Sequence, residues 1–388
     1  MINGERVRQA RELRDLTQTE LAKLVGLDQS AIANIEAGRF QPSESNIEAI
    51  ALSTGFPPSF FSQEPGPDFP LGSLQFRAHA SVTTRERVSA YRYAQVVYEL
   101  VHRLMLRVKP IPVNVQKLSA DRVSAAQMTR SALGLSPDRP IGNLIHVLEK
   151  AGVLVLALPM KLDRIDAFSA WVTGDTMRPV LVISGGKSGD RLRLSAAHDF
   201  GHLVLPPKGD QKRAEQEAFQ FATEFLTPAE AMYHEMVPPV TLTSLAKLKA
   251  KWGLSIQALI TRARDLNIIT TRQYHYLFER LSAQGWRMQE PVFVSAEKPR
   301  AVRKMAELLY GIPVDYKRLA VDSHLAQQFA KEFIEAHAAG TELPPRPQNN
   351  ADKRVIPIEA STRRLRRSGF PPSGQSRLPR NLSPFLSR

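Results

Sequence analysis

The sequence of 388 residues contains no cysteine. This absence excludes disulfides and every thiolate metal site, so histidine, aspartate and glutamate are the side chains left to bind a metal. Long hydrophobic runs are also missing. No stretch of about 18 apolar residues occurs, and the N-terminal segment "MINGERVRQARELRD" is charged and lacks the apolar region of a secretory signal. We therefore expect a cytoplasmic protein without a membrane span.

Length and charge set further bounds. A chain of 388 residues exceeds the usual size of one compact core, which predicts two or three folded units. The formal charge of +14 favours a polyanionic partner, because lysine and arginine gain affinity by releasing counterions from phosphates.

Half of this excess charge lies near the C-terminus. Residues 341–388 hold ten Lys/Arg against three Asp/Glu and are rich in proline and serine. Such a composition cannot bury enough apolar surface to offset chain entropy, so we interpret 341–388 as a basic disordered tail. The run "RRLRR" at 363–367 leaves open a role in non-specific nucleic-acid binding beside the simpler reading of a solvated charge run.

The N-terminal segment has the pattern of short helices across a tight turn. Residues 4–15 form an amphipathic pattern, and Thr17 can cap a second helix, "QTELAKLVG", that ends at Gly26. Asp28 is placed to cap a third helix, "QSAIANIEAG", with Gly38 as its left-handed stop. This arrangement is typical of a helix-turn-helix.

The stretch "TQTELAKLVGLDQSAIANIEAGRFQPS" resembles the XRE family of phage-repressor-like DNA-binding domains over residues 4 to about 61. The resemblance implies that the partner is a double-stranded DNA operator. It places Gln18 and Arg39 at the phosphate backbone and the polar face of the third helix at base edges in the major groove. The positions it assigns to DNA are Gln18, Gln29, Ser30, Ala31, Asn34 and Arg39. A single unit contacts few bases, so we expect a homodimer reading two half-sites.

The middle of the chain changes from helical to strand periodicity. After the Pro/Gly-rich segment 63–74, helical patterns cover 84–107, 121–134 and 141–151. Short β-branched runs at 152–159, 166–173 and 178–185 then predict a small antiparallel sheet that backs a helix, an α+β arrangement. Helical patterns return at 241–312, and 316–338 reads as one further helix.

The segment "SAAHDFGHLVL", residues 195–205, carries a histidine pair. His198 and His202 are four residues apart and lie on one helix face, so both imidazoles can bind one ion. Zinc needs a third protein ligand, for which we choose Glu215 at the start of "EQEAFQFATEFLTP". Ala218 on the same face would permit close approach of the two helices, whereas Glu217 is expected on the solvated side.

The words "SGDRLRLSAAHDFGHLVL" and "EQEAFQFATEFLTP" together resemble the ImmA/IrrE family of zinc metallopeptidase-like domains, and the resemblance runs from about 75 to 290. It implies that His198, His202 and Glu215 hold one ion, expected to be zinc, with manganese left open. The catalytic position, glutamate in the family, falls on Asp199. The glutamate takes a proton from water and later donates it to the leaving amine. Aspartate withdraws its carboxylate by about 1 Å, a misplacement that can cost roughly a hundredfold in rate.

These observations predict a mainly α protein with a small β-sheet. We expect an all-α helix-turn-helix domain at 4–62, a linker at 63–74, an α+β zincin-like domain at 75–240, a helical subdomain at 241–340 and the tail at 341–388. The function expected is that of a DNA-binding transcriptional regulator of prophage or mobile-element type. Its zinc-dependent peptidase-like domain would cleave an XRE-type repressor or the chain itself. The alternative is a catalytically inactive pseudo-peptidase, a transcription factor or antitoxin that senses a signal or binds a partner such as a toxin.

Overall fold

The computed structural model describes residues 1–66, 83–158, 167–172, 177–184, 186–206 and 209–339. Part of the predicted linker, residues 67–74, lies outside the described residues, as does the whole predicted tail at 341–388. The predicted class is confirmed: helices dominate, and the sheet has three strands. No helix in the described ranges is long and apolar enough to cross a membrane.

In the sequence, helices both precede and follow the three strands of the sheet. The N-terminal helices are α1 (Gly4–Leu13), α2 (Gln18–Val25), α3 (Gln29–Glu36), α4 (Glu44–Thr54) and a short 3₁₀ helix (Pro58–Ser62). There follow α5 (Thr84–Met105), α6 (Arg122–Ala132), α7 (Leu144–Lys150), β1 (Leu154–Leu158), β2 (Ala167–Val172) and β3 (Arg178–Ser184). The remaining helices are α8 (Gly189–Val204), α9 (Gln211–Leu226), α10 (Ala229–Glu235), α11 (Leu242–Trp252), α12 (Ile256–Asp265), α13 (Thr271–Ala283), α14 (Ala301–Tyr310), α15 (Tyr316–Ser323) and α16 (Gln327–Glu335).

Local capping explains the bounds of the helix-turn-helix. Thr17 and Glu20 form a reciprocal capping box at the start of α2, and Gly26 ends that helix with φ of 69°. Asp28 occupies the N-cap position of α3 as predicted, but its side chain makes no capping hydrogen bond. Gly38 has φ of 69° just after α3, which confirms the predicted left-handed stop.

The sheet corrects one prediction. Its order is β1-β3-β2, with β2 antiparallel to β3 but β1 parallel to it, so the antiparallel prediction was wrong for one of the two pairs. Every residue of β1 and β3 is buried. Continuous apolar runs such as "LVLAL" are typical of strands covered on both faces, as parallel strands are. That signal was present in the sequence.

The sheet separates two hydrophobic cores. Val180 and Val182 of β3 face one core, which also contains the buried residues of α1–α5 and α14–α16. Leu181 and Ile183, on the opposite face, belong to a second core built with α6–α9 and α11–α13. The helix-turn-helix unit therefore shares its core with α5 and the last three helices. The ring centroids of Phe329, on α16, and Phe56 lie 5.7 Å apart.

The single helix predicted over 316–338 was wrong, since two helices occupy that stretch. His324 follows α15 in the left-handed region with φ of 56°, which ends the first helix. The hydroxyl of Ser323 donates to the carbonyl of Leu319 at 2.6 Å, a local bond by which serine competes with helix continuation. A helix end formed by a non-glycine residue in the left-handed region is hard to predict, because the sequence lacks the glycine that usually marks it.

Candidate metal centre and nucleic-acid interface

The edge strand β2 fixes the helix that carries the histidine pair. The Ser169 hydroxyl donates to the carbonyl of Asp199 at 2.7 Å, and the Trp171 indole N–H donates to the carbonyl of Leu203 at 2.9 Å. Both bonds reach the C-terminal half of α8, where the histidines lie. Sequence reasoning missed these contacts because nothing in a strand pattern says which helix it touches.

Helix α9 crosses α8 at very close range. A Cβ atom added to Gly201 would lie 3.0 Å from the ring of Phe221 and 3.2 Å from the carbonyl oxygen of Ala218. Ala218 and Ala222 are completely buried at this crossing, whereas Phe219 is only half-buried. The small size of Gly201, Ala218 and Ala222 at the crossing lets α9 bring Glu215 to the histidines.

The three predicted metal ligands are brought together. The Nε2 atom of His202 lies 2.9 Å from Oε1 of Glu215, and Nε2 of His198 lies 3.5 Å from Oε2 of the same carboxylate. One ligand atom from each residue falls within 4.8 Å of the other two. The arrangement is thus compact enough for one small divalent ion.

The donor set fits the ion that the sequence predicts. Two imidazoles and one carboxylate are the ligands of many catalytic zinc sites, and no thiolate is needed. The side chain of His198 is 3% exposed, while those of His202 and Glu215 are 28% and 29% exposed. The centre therefore opens to solvent beside His202 and Glu215.

Asp199 lies on the closed side of this centre. Its side chain is 3% exposed, and its Oδ1 atom lies 3.7 Å from Nδ1 of His198. Glu215 approaches the other ring nitrogen of the same histidine. The two carboxylates therefore meet different edges of the His198 ring.

The prediction that Glu217 is solvated was wrong. It is buried, with its Oε1 atom 3.2 Å from Nε of Arg213 and 3.8 Å from Nη1 of Arg122 on α6. Helix α6 packs against this side of α9, so the side that periodicity alone assigned to solvent is covered.

A buried ion-pair cluster holds the start of α8. The Lys249 ammonium lies 2.6 Å from Asp190 and 2.7 Å from Glu290. Burial opposes ionisation of Asp190, but the hydrogen bond and charge of Lys249 hold the pKa of that carboxyl below its usual value. One turn along, Arg193 pairs with Glu297. These partners are distant in sequence, and no local pattern indicates them.

The polar residues assigned to DNA lie on an open face of α3. Gln29, Ser30, Asn34 and Arg39 are exposed and Ala31 is half-buried, whereas Ile32 and Ile35 pack inward.

Two of these residues are joined in a network. The Gln29 amide donates to Oε1 of Gln18 at 2.7 Å, and the Gln18 amide donates to Glu36 at 2.8 Å. The same Glu36 carboxylate forms an ion pair with Arg11, whose Nε atom lies 2.5 Å from Oε1 of Glu36. Gln18 and Gln29 therefore present one continuous polar surface, while Arg39 lies beyond the end of α3.

The fold and the two sites define a class of protein: a helix-turn-helix unit joined to a metallopeptidase-like centre. Residues 7–61 match the family model described as helix-turn-helix, and residues 148–264 match the one described as IrrE N-terminal-like domain. The chain is 42% identical over 55 residues to the immunity repressor protein of Bacillus phage phi105. That match covers 14% of this chain and spans 38% of the phage protein. The chain thus carries an XRE-type helix-turn-helix domain followed by an ImmA/IrrE-like domain.

Proposed function

We propose that the protein is a DNA-binding transcriptional regulator of prophage or mobile-element type, and that its second domain is a zinc-dependent peptidase. The observation that carries this proposal is the combination, in one chain, of an exposed polar α3 face with the convergence of His198, His202 and Glu215. Its site of action would be the cytoplasm, where its DNA partner is found.

On the DNA side, α3 would enter the major groove, with Gln29, Ser30 and Asn34 at base edges. Ala31 would offer an apolar contact, and Gln18 and Arg39 would hold phosphates. The hydrogen bond from Gln29 to Gln18 supports this division, since it fixes the two side chains against each other before DNA binds. A homodimer is expected, because one such unit reads only a few base pairs.

On the peptidase side, His198, His202 and Glu215 would hold the ion, with zinc favoured and manganese left open. When bound, zinc supplies Lewis-acid chemistry that polarises a peptide carbonyl and makes water more acidic. Asp199 would accept a proton from water and return it to the leaving amine. The exposed edges of His202 and Glu215 would admit an extended peptide from solvent. The substrate would be an XRE-type repressor, this chain or a second copy of it.

The second candidate function is a pseudo-peptidase that acts as a transcription factor or antitoxin. It is favoured by the position of Asp199, whose carboxylate is almost completely buried and faces Nδ1 of His198. A carboxylate in that position orients a ligating imidazole. The domain would then hold its metal to sense a signal or to bind a partner protein such as a toxin.

The experiment that tests the DNA function is selection of duplexes from a random pool by the purified full chain. We expect one enriched motif, arranged as two half-sites about one helical turn apart. Asn34→Ala, at an exposed base-facing position, should lose discrimination at one position of each half-site. A matched variant, Ser45→Ala on the exposed surface of α4, should leave the motif unchanged. Failure to enrich any motif would contradict the proposal.

A further inference from the structure

The outer face of α4 carries an apolar side chain that the fold leaves almost completely uncovered. Leu52 is 87% exposed, although the inner face of the same helix buries Ile47 and Ile50 in the core. Glu48 and Glu44 lie one and two turns before Leu52 on the outer face, at spacings of four residues, and both are exposed. This α4 stripe, Glu44, Glu48 and Leu52, is therefore acidic and ends in an exposed leucine.

A cavity of about 250 Å³ opens on the surface between α5, α14 and α15. Leu100 and Leu104 of α5, with Leu106 just after that helix, form its apolar wall. An engineered cavity of about 150 Å³ holds a benzene molecule, so this α5–α15 cavity has room for one large aliphatic side chain. Leu106 is 66% exposed and Val321, on α15, is 69% exposed. Exposed apolar patches of this kind mark interaction sites.

The charge around the α5–α15 cavity is opposite to that of the α4 stripe. Two arginines, Arg103 and Arg107, line the cavity together with one carboxylate, Asp322. Arg107 is paired with Asp322 at 3.1 Å. Arg318 adds a third guanidinium, 6.0 Å from the ring centroid of Tyr310 in the cavity wall. These residues leave a net positive charge, which complements the two carboxylates of the α4 stripe.

The two surfaces belong to neighbouring elements of the fold. Phe56, two residues after the end of α4, packs against Phe329 of α16. Helix α16 packs in turn against α15, which supplies Asp322 and Ser323 to the cavity. A two-fold dimer in which each copy inserts its Leu52 into the cavity of the other makes the same contact twice.

We propose that the α4 stripe of one copy docks into the α5–α15 cavity of a second copy, and that this contact forms the homodimer. The inference rests on the proposed DNA-binding function, which expects a dimer reading two half-sites, and it names the surfaces that join the copies. Leu52 fills the cavity, and Glu44 and Glu48 face the arginines around it. The polar face of α3 belongs to neither surface, so both copies keep their DNA-reading residues free.

The test is sedimentation velocity of the purified full chain over a range of concentrations, in which the wild type should form a dimer. Leu52→Asp removes the apolar anchor at an exposed position and should weaken dimerisation by roughly tenfold or more. Met288→Asp is the matched control. Met288 is 95% exposed and lies outside both surfaces, so this variant should dimerise like the wild type.

Charge reversal tests whether the two surfaces meet each other. Glu44→Lys with Glu48→Lys, and separately Arg107→Glu with Arg318→Glu, should each weaken the dimer, because like charges then face each other. The chain that carries all four substitutions should regain the dimer, since the two surfaces are again opposite in charge. Circular dichroism of each variant measures whether the helix content is retained.

A monomeric wild type, or a dimer that Leu52→Asp leaves unchanged, would overturn this inference. Failure of the fourfold variant to regain the dimer would overturn it as well. These results are separate from the DNA-binding function, because a monomer that binds DNA would still enrich single half-sites in the selection from a random pool. An intact dimer that enriches no motif would instead overturn the DNA-binding function and leave the interface in place.

Discussion

At the scale of single residues, the proposed peptidase activity depends on the one methylene group by which Asp199 is shorter than glutamate. The spacing of His198 and His202 could be read from the sequence because helix periodicity is a local property. Glu215 was found by the same periodicity on the next helix. The direction of Asp199 could not be predicted, since it depends on how α8 packs against β2 and α9. The burial of Glu217 by α6 was missed for the same reason.

Asp199→Glu should raise peptide cleavage by roughly tenfold to a hundredfold, because the longer side chain brings the carboxylate about 1 Å further out. Cleavage of casein and of the chain itself, followed by mass spectrometry in zinc-containing buffer, measures the change. Asp199→Asn, which cannot accept the proton, is the matched control and should remove any activity of the wild type. The metal content of both variants should equal that of the wild type. Absence of cleavage by both the wild type and the glutamate variant would contradict the peptidase function and favour the pseudo-peptidase.

At the scale of helices and strands, the sequence predicted most elements to within a few residues. The capping signals at Thr17 and Gly26 are chemically specific, which explains this success. Pairing within the sheet was harder, since strand order depends on contacts between distant residues. The parallel pair of β1 and β3 is buried along its whole length, and a local pattern records this burial only as a continuous apolar run, without the direction of pairing.

The close crossing of α8 and α9 gives one prediction at this scale. Gly201→Val should push α9 away from α8, since even a Cβ atom meets Phe221 at 3.0 Å. Glu215 would then move away from the histidines, and zinc affinity should fall by at least tenfold in a competition titration with a chelating dye. Gly209→Val is the control, because nothing lies within 4 Å of a Cβ atom at that position. Equal zinc affinities in the two variants would contradict the role of this crossing.

The attachment of α16 to β1 gives a pH prediction. His337 donates from Nδ1 to the carbonyl of Phe333 at 2.9 Å and accepts at Nε2 from the N–H of Ala157 at 3.2 Å. Burial, together with a smaller contribution from the positive charge of nearby Arg303, lowers the pKa of His337 from an ordinary value of 6.5 to about 4. The neutral imidazole therefore stabilises the fold above about pH 6.5, and this stability is lost progressively as the pH falls towards 4.

The comparison that isolates this effect is His337→Gln against the wild type. Glutamine does not titrate and can offer one donor and one acceptor. Urea midpoints measured at pH 7, 6 and 5 should fall more steeply for the wild type than for the variant. Parallel decreases would show that His337 does not titrate in this window.

At the scale of the whole molecule, the buried residues of the helix-turn-helix belong to a larger hydrophobic core and do not form a separate one. It packs against α5, which precedes the three strands in the sequence, and against α14–α16, which follow them. The predicted helical segment 241–340 is likewise divided, with α11–α13 in one core and α14–α16 in the other. A linear reading of domains cannot predict such sharing, because the contacts join residues far apart in sequence.

One buried ion pair should report this shared core. Arg6 is 1% exposed and lies 2.7 Å from Glu99 of α5. Glu99→Gln leaves the guanidinium without its counter-charge, and should lower the free energy of unfolding by about 2–3 kcal/mol. Arg85→Gln breaks the pairs with Asp15 and Glu20, in which all three side chains are about half exposed, and should cost less than about 1 kcal/mol. Urea unfolding followed by tryptophan fluorescence measures both, and equal effects would contradict the shared core.

The most direct test of the central claim is the metal content of the purified full chain. Elemental analysis of the wild type, beside His198→Ala and Glu215→Ala, measures whether the three converging side chains bind an ion. The account predicts about one zinc per chain in the wild type and loss of that zinc in both variants, with helix content unchanged by circular dichroism. A wild type that contains no metal after zinc is supplied, or variants that retain the wild-type content, would contradict it.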